Sequence, residues 1–509
     1  MKSDKELYRQ LRGLPRDRLW TEEVPRFNSA SPRERMARVA VIRAVGAAFA
    51  SSGTAAQRAE VRAWLAGLLR DPSEKIRRYA MTALPKLGAG PGEEAELLAL
   101  LRNTDGERER QSLGRTLDKI GGPATLQAAK AAGGLPPQTE QKVKARVARR
   151  QNPSTIRMDH ILSRFEGLRI HLRCRRGLET IVRDEAEERL AAPGRFRVGE
   201  IRRGLVALAP SAPFSLADLY ALRCFSTVNF VLGAAPADDV EALASAIASP
   251  LARRLLSAFT EGAPRYRLEF ISRGHQRGAV RLVANRAYAL CPDVLNDARG
   301  APWAVDIHPA GRGSSVELRP RLAPDPRFTY RRDDVAAASH PPLAACMARL
   351  AGRAEGEIVW DPFCGSGLEL IERALRGGVR QVYGTDVSPE AVAIARDNFA
   401  AAKRASIPAR FTCCDFRESS EVEWLGPDSV TLIITNPPMG RRIRIPDMRG
   451  FFADFFRVAA RALKPGGRLV FVNPLRLGPA DAALQLQWRQ TVDLGGFDGR
   501  LEVYRKPAR

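Results

Sequence analysis

Ile358-Val359-Trp360-Asp361-Pro362-Phe363-Cys364-Gly365-Ser366-Gly367-Leu368-Glu369-Leu370-Ile371-Glu372 decides the fold of the C-terminal part of this chain. An apolar run ends in an acid, a glycine-rich turn follows, and a stretch with helical spacing comes next. Gly365 and Gly367 allow the backbone close to a ligand, and helix-start N–H groups point at its polar part. A second strand is predicted at Gln381-Val382-Tyr383-Gly384-Thr385-Asp386. Its Asp386, 21 positions after Gly365, falls where a strand-end acid meets ribose hydroxyls in a doubly wound sheet. A helix is expected over Pro389 to Asn398, then a third strand over Ala409 to Asp415, again ending in an acid. This alternation predicts an α/β sheet with a nucleotide-like ligand at the carboxyl ends of its strands. The turn is too short for G-x-G-x-x-G and no Lys-Ser or Lys-Thr follows it, so neither a dinucleotide fingerprint nor a P-loop fits.

Downstream, the apolar run Val430-Thr431-Leu432-Ile433-Ile434 leads into Thr435-Asn436-Pro437-Pro438-Met439-Gly440. A strand ending in Asn-Pro-Pro can present an amide oxygen and a backbone carbonyl to a planar exocyclic amine. Such an amine is a poor nucleophile, so positioning its nitrogen toward an electrophilic methyl group is the work required. The prolines stiffen the loop and add no competing N–H. Alone, a Pro-Pro pair after a strand is simply a turn; the glycine turn upstream gives it meaning.

Asp361-Pro-Phe-Cys-Gly-Ser-Gly, Gly384-Thr-Asp386, Asp415 and Asn436-Pro-Pro together resemble class I S-adenosylmethionine-dependent methyltransferases that modify base amino groups, in particular RNA methyltransferases carrying a THUMP domain. The resemblance implies a Rossmann-like fold and S-adenosyl-L-methionine as cofactor. It places cofactor contacts at Asp361, Phe363, Cys364, Gly365, Ser366, Gly367, Asp386, Val387, Asp415, Phe416 and Asn436. Phe363 to Gly367 would lie under the methionine part, Asp386 on the ribose, Asp415 on the adenine amino group and Phe416 beside its ring. The catalytic loop would be Asn436, Pro437, Pro438 and Met439. Two positions depart from the family: Leu368 stands where Thr is common, and Met439 where an aromatic residue stacks on the target base. A thioether can lie against a ring, and Phe451, Phe452 or the Arg441-Arg442 pair are alternative stacking partners.

The sequence has 81 Lys+Arg against 57 Asp+Glu and a net charge of +24, which predicts salt-sensitive attraction to polyanions. A GC-rich genome would account for the same arginine surplus as a solvated surface. A length of 509 residues suggests three or four domains, and 45% apolar residues suffice for their cores. Residues 1–20 lack an apolar signal region and Val39 to Ala50 is interrupted by Arg43, so neither a leader nor a membrane span is expected. Seven scattered cysteines without C-x-x-C suggest a reducing, cytoplasmic setting, with Cys364 and Cys413-Cys414 as packing residues. The five histidines are isolated and no metal is expected; His340 is either a helix-entry residue or part of the cofactor entrance.

Residues 1–132 read as an all-α HEAT-like region. Leu68-Leu69-Arg70-Asp71 through Lys86-Leu87-Gly88 is echoed by Leu100-Leu101-Arg102-Asn103 through Lys119-Ile120-Gly121 at an offset of 32 to 33. Less regular copies run from Arg33 to Ser52 and from Pro123 to Ala132; an ordinary helical bundle is the alternative. Residues 133–164 read as a basic linker (Gly133-Gly134-Leu135-Pro136-Pro137, then Lys142, Lys144, Arg146, Arg149 and Arg150), touching RNA phosphates or simply solvated. Residues 165–325 read as α+β: strands at Leu168 to Cys174, Val206 to Leu208, Tyr266 to Phe270, Ala304 to Ile307 and Val316 to Leu318, with helices to Leu190 and over Leu216 to Phe225. Cys174-x-x-Gly177-Leu178-Glu179 is similar to the ferredoxin-like module that precedes THUMP, and Arg265, Arg267, Arg273, Arg277 and Arg281 are candidate RNA contacts. Residues 326–509 complete the chain as the α/β domain, with a helix over Phe451 to Leu463, a turn at Lys464 to Gly467, and strands at Arg468 to Val472 and Leu501 to Tyr504, the last antiparallel.

The expected function is methyl transfer to guanine N2 in structured RNA, tRNA or rRNA. Adenine N6 in RNA or DNA, a glutamine side chain, and a non-catalytic RNA-binding scaffold are the alternatives. The sequence leaves oligomeric state open.

Overall fold

The computed structural model describes residues 4–131, 143, 146–147, 151–236, 239–272, 274, 276–335, 338–440, 445–475, 477–479 and 483–508. Met1–Pro153 and Ser154–Arg509 form two separate compact units.

The described residues of the N-terminal unit are helical. Ala55–Gly67 and Glu74–Ala83, each prolonged by a 3-10 turn, make one helix pair; Pro91–Asn103 and Glu107–Ile120 make the next. These pairs are the two segments that echo each other in sequence. Gly88, at φ 77°, closes the first pair in the left-handed conformation that favours glycine. Pro32–Ala37 with Ala40–Ser52 precede them, and Pro123–Ala131 follows. Neighbouring pairs are tied by polar contacts: Arg77 donates to both oxygens of buried Glu109 (2.6 and 2.7 Å), and Arg62 to Glu93 at 3.2 Å. Gly46 lies so close to the first pair that a Cβ there would come within 2.8 Å of that of Ala83. Buried Glu94 accepts from the N–H groups of Gly122 and Thr125 (2.7 and 2.9 Å) and from the Thr125 hydroxyl (2.6 Å), capping the last helix.

The basic segment 133–164 is only partly as expected. Arg146 donates to the carbonyls of Leu117 and Gly121, so it caps the end of Glu107–Ile120 instead of standing free for a phosphate. Thr155–Ile156 pairs with Thr260–Glu261, and Leu162 bridges to Phe214, so residues 154–164 belong to the second unit and are no linker. Gly133 to Pro137, Lys142, Lys144, Arg149 and Arg150 lie outside the described residues.

The second unit holds two large sheets. The first has eight strands in the order Phe196–Arg202, Leu205–Pro210, Ile170–Arg173, Thr227–Pro236, Gly313–Pro320, Trp303–Ala310, Arg265–Phe270, Leu295–Asn296. Ile170, Leu172, Val228, Phe230, Val316 and Leu318 join its apolar core. Alternation places polar residues on the other face. There Glu317 accepts from Arg173 at 2.7 Å and from Ser315 at 2.9 Å, and its carboxylate meets His171 at 2.8 Å. His308 lies 3.6 Å from the same carboxylate, so two of the histidines expected to be isolated share one acid. Burial opposes charge on Glu317, but the hydrogen bonds from His171 and Arg173 outweigh it and hold its carboxyl at about 2. The helix expected over Leu216 to Phe225 stops at Leu219.

The second sheet uses β1 (Glu357–Asp361), β2 (Val379–Asp386), β3 (Ala409–Cys413), β4 (Val430–Thr435), β5 (Leu463–Asn473), β6 (Gln485–Asp493) and β7 (Asp498–Arg505) in the order β3-β2-β1-β4-β5-β7-β6. The first five are parallel, and β7 runs antiparallel between β5 and β6. Helices α1 (Pro341–Leu350), α2 (Leu368–Leu375), α3 (Pro389–Ala401) and α4 (Met448–Ala462) belong to this layer. Lys464 to Gly467, expected as a turn, is a bulge inside β5: Val430 pairs with Leu463 but Leu432 pairs with Arg468. The reversal of strand order lies between β1 and β4, where a doubly wound sheet opens its ligand crevice.

Glu94→Ala would strand three buried donors and is expected to lower the stability of the N-terminal unit by about 2 kcal/mol. Urea unfolding of the full chain measures this; an unchanged midpoint for the unit's transition would rule out the capping role.

Candidate active site

The two halves of the predicted site spring from adjacent strands. β1 and β4 pair through Val359–Leu432 and Trp360–Ile433. At their carboxyl ends the Thr435 hydroxyl donates to Asp361 Oδ1 at 2.6 Å, and the Phe363 N–H donates to the same oxygen at 3.0 Å. Asp361 is fully buried, and its Oδ2 has no partner. Burial, then the neighbouring Glu369 carboxylate, push the Asp361 carboxyl well above the usual range.

The glycine turn lies against β2. Cys364 N–H donates to the Thr385 carbonyl (2.9 Å) and Gly365 N–H to Asp386 Oδ2 (3.0 Å). Ser388 N–H holds the other Asp386 oxygen at 3.0 Å, which fixes the carboxylate and leaves lone pairs for a further donor. Gly365 and Gly367 have φ of 49° and 83°. A Cβ on Gly367 would also press on Ala395 of α3 at 3.3 Å, so the turn needs glycine for both conformation and space. Ser366 donates to Asp334 at 3.1 Å, and Asn398 Nδ2 donates to the carbonyls of Ser366 and Asp333, both at 3.0 Å. Cys364 is buried and its thiol is pushed up by burial, then by Asp361, consistent with a packing role. Cys413, expected to pack, is exposed at the end of β3.

Beyond β3, Asp415 Oδ1 accepts the Arg417 N–H at 2.9 Å, and its Oδ2 lies 3.2 Å from the Arg417 guanidinium. Phe416 is almost fully buried against Phe363 and Phe451, with ring centroids 5.0 and 5.2 Å away. Arg417 lies over both Phe416 and Phe451. Phe363, half-buried, is therefore better placed than Phe416 to offer ring surface to a ligand. Val387 is the reverse case: an apolar side chain 68% exposed, directly after Asp386.

On the β4 side, Asn436 Nδ2 donates to the Ser339 hydroxyl at 2.7 Å, while Asn436 Oδ1 is buried without a partner. Pro437 is buried, and Pro438 and Met439 are half-buried. Phe451 and Phe452, considered as stacking partners, are instead built into the aromatic core under α4; Arg441 and Arg442 lie outside the described residues. His340 stands at the N-cap of α1 without capping it; burial, then Arg175, hold its imidazole down to about 4, so it is neutral. Sequence reasoning missed Ser339, Asp334 and Glu369. Among the described residues no three His, Cys, Asp or Glu side chains gather as metal ligands, and no helix is long and apolar enough to cross a membrane.

Residues 329–499, which include most of the α/β layer, match the RMKL-like methyltransferase domain family. The residues around the glycine turn fit S-adenosyl-L-methionine as a methyl donor. An orphaned buried carboxylate oxygen and further acids around the glycine turn suit a cationic ligand, and Asp386 beside Val387 suits a ribose and its base. Two curated relatives match part of the chain. The ribosomal protein L11 methyltransferase of Photobacterium profundum is 34% identical over 103 residues, 19% of this chain and 35% of that protein. The tRNA (guanine(10)-N2)-dimethyltransferase of Methanothermobacter thermautotrophicus is 30% identical over 138 residues, 26% of this chain and 38% of that protein. The chain thus spans little more than a third of either relative. The crystal structure of TrmN from Thermus thermophilus shares the fold over 67% of this chain and 99% of its own, with a TM-score of 0.51 and 24% identity.

Gly367→Ala forces a side chain into the left-handed region and against Ala395, and is expected to cost about 1–2 kcal/mol. Thermal unfolding checks this, together with a weakened S-adenosylmethionine affinity by calorimetry; normal values for both would show that the turn tolerates a Cβ.

Proposed function

We propose that the chain transfers the methyl group of S-adenosyl-L-methionine to an exocyclic amine of a base in structured RNA, with guanine N2 in tRNA or rRNA as first choice. The observation that carries this reading is Asn436 Oδ1: a buried amide oxygen without a partner, on a proline-stiffened loop beside the glycine turn. A buried acceptor left unpaired is costly, and a substrate N–H would pair it. The amide oxygen and a backbone carbonyl of the Asn-Pro-Pro loop would accept the two amine protons and aim the nitrogen lone pair. The cofactor supplies an electrophilic methyl group on a sulfonium. Asp386 would hold its ribose, Phe363 and Val387 would flank its base, Asp415 would meet the adenine amino group, and Asp361 would favour its cationic end. Adenine N6 suits the same acceptors. Modification of a protein side chain is the competing class, given the name of one relative.

For RNA, the support comes from the N-terminal half of the second unit. A groove of about 940 Å³ is lined by Arg267, Arg277, Arg281, Gln276, Asn285 and Tyr288, the last 52% exposed. Guanidinium groups beside an exposed ring suit a phosphate backbone with an unstacked base. Arg265 is buried and drops out of the expected contacts, Arg267 is paired with Glu269 at 2.7 Å, and Arg273 lies outside the described residues. We read residues 165–325 as the ferredoxin-like and THUMP portion, and the stacked helix pairs of residues 1–132 as a HEAT-like accessory surface.

Asn436→Ala is expected to lower kcat at least a hundredfold while cofactor affinity stays within about threefold. Asp386→Ala is expected to weaken cofactor binding more than tenfold through lost charge-assisted hydrogen bonds. Labelled cofactor offered to separate tRNA, rRNA, DNA and protein pools, followed by identification of the methylated product, tests the substrate class. Label confined to protein, or no transfer to any pool, would overturn the RNA reading.

A further inference from the structure

Glu369, in the first turn of α2, is buried, and the Ser339 hydroxyl donates to its Oε1. Ser339 Oγ in turn accepts from Asn436 Nδ2 at 2.7 Å. Three side chains from three separate parts of the fold thus form one directed chain, from a carboxylate to the amide of the Asn-Pro-Pro loop. Direction matters because an amide can flip. An ionised carboxylate only accepts, so it commits the Ser339 proton to itself. The Ser339 oxygen can then serve the amide only as an acceptor. That holds the Asn436 NH₂ toward Ser339 and turns Oδ1 the other way, where it is buried without a partner. A flipped amide would set two oxygens against each other at Ser339 and present donors to the substrate amine.

Resting on the functional reading above, we propose that Ser339 and Glu369 are positioning residues that fix the orientation of the Asn436 amide and so keep its oxygen available to the substrate N–H. Neither touches the reacting atoms. Burial raises the Glu369 carboxyl to about 6. The ionisable groups around it are Glu372 on its own helix, Asp361 at the end of β1, Cys364 in the glycine turn and Tyr330 before α1. Above pH 6 the carboxylate is ionised and the chain has one direction. Below it the protonated acid can donate to Ser339, the serine proton is released, and the amide loses its fixed sense.

The test uses the full chain with Ser339→Ala, Ser339→Thr, Glu369→Gln, Asn436→Ala and the Ser339→Ala/Asn436→Ala double variant. Ser339→Ala is expected to lower kcat about tenfold or more with cofactor affinity and substrate KM within twofold, and Ser339→Thr to recover most of the loss. The wild-type kcat should fall as pH drops through 6, and Glu369→Gln should lack that limb. The double variant should be no slower than Asn436→Ala alone, because a residue acting through another is silent once the other is gone. In protein labelled with ¹⁵N-asparagine, the Asn436 side-chain amide protons should exchange slowly with solvent and faster in Ser339→Ala. A wild-type kcat in Ser339→Ala, a further loss in the double variant, or unchanged amide exchange would each overturn the proposal. If no substrate pool is methylated while the amide signature behaves as stated, the functional reading fails and the orientation device stands.

Discussion

The 2.6 Å hydrogen bond from Thr435 to Asp361 is the contact on which the rest of the site depends. It joins the carboxyl ends of two paired parallel strands at the reversal of strand order, where the chain leaves β1 for the glycine turn and β4 for the Asn-Pro-Pro loop. Because both ends are buried and tied, each loop starts from a fixed point. The glycine turn is then anchored further along by Thr385, Asp386, Asp334 and Asn398. On the other side, a single contact to Ser339 sets the loop's amide.

The same helix that carries Glu369 connects the methyltransferase layer to the eight-stranded sheet. Glu372, one turn further along α2, accepts from Arg223 Nε and Nη2 at 2.8 and 2.7 Å and from the Tyr330 hydroxyl at 2.5 Å. Arg223 also donates to the Arg327 carbonyl at 2.6 Å, and the Arg327 guanidinium lies over Phe225, 3.9 Å from its ring centroid. Gly177 completes the contact from the other side: any Cβ there would fall 2.0 Å from the Thr491 carbonyl oxygen of β6. Two acids one turn apart on α2 therefore divide the labour, Glu369 serving the site and Glu372 the neighbouring sheet.

Much of this was legible in the chain because its signals are local. The glycine turn, Asp386 at the end of β2, Asp415 two residues past β3 and the Asn-Pro-Pro loop are short runs whose meaning comes from spacing, and β1 and β4 are apolar runs buried almost throughout. The helix pairs were legible because residues 68–88 and 100–121 repeat. What escaped lies in long-range pairing or in polar elements. Ser339 and Glu369 are 30 positions apart and Ser339 and Asn436 are 97 apart, with no motif linking them. β6 is mostly polar and exposed, an edge strand without the alternation that betrays a half-buried one. The shared acid of His171 and His308 arises from strand register alone. Arg146 read as a free cation because charge patterns do not reveal which carbonyls a guanidinium will meet.

The clasp around Glu372 has a geometric consequence. Glu372 gathers an arginine and a tyrosine hydroxyl, the arginine also reaches a backbone carbonyl, and the close approach at Gly177 adds a second contact. The clasp thus ties the glycine-turn side of the α/β layer to the loop that precedes Thr227–Pro236, a central strand of the neighbouring sheet. Strain applied to one sheet is therefore passed to the other through α2.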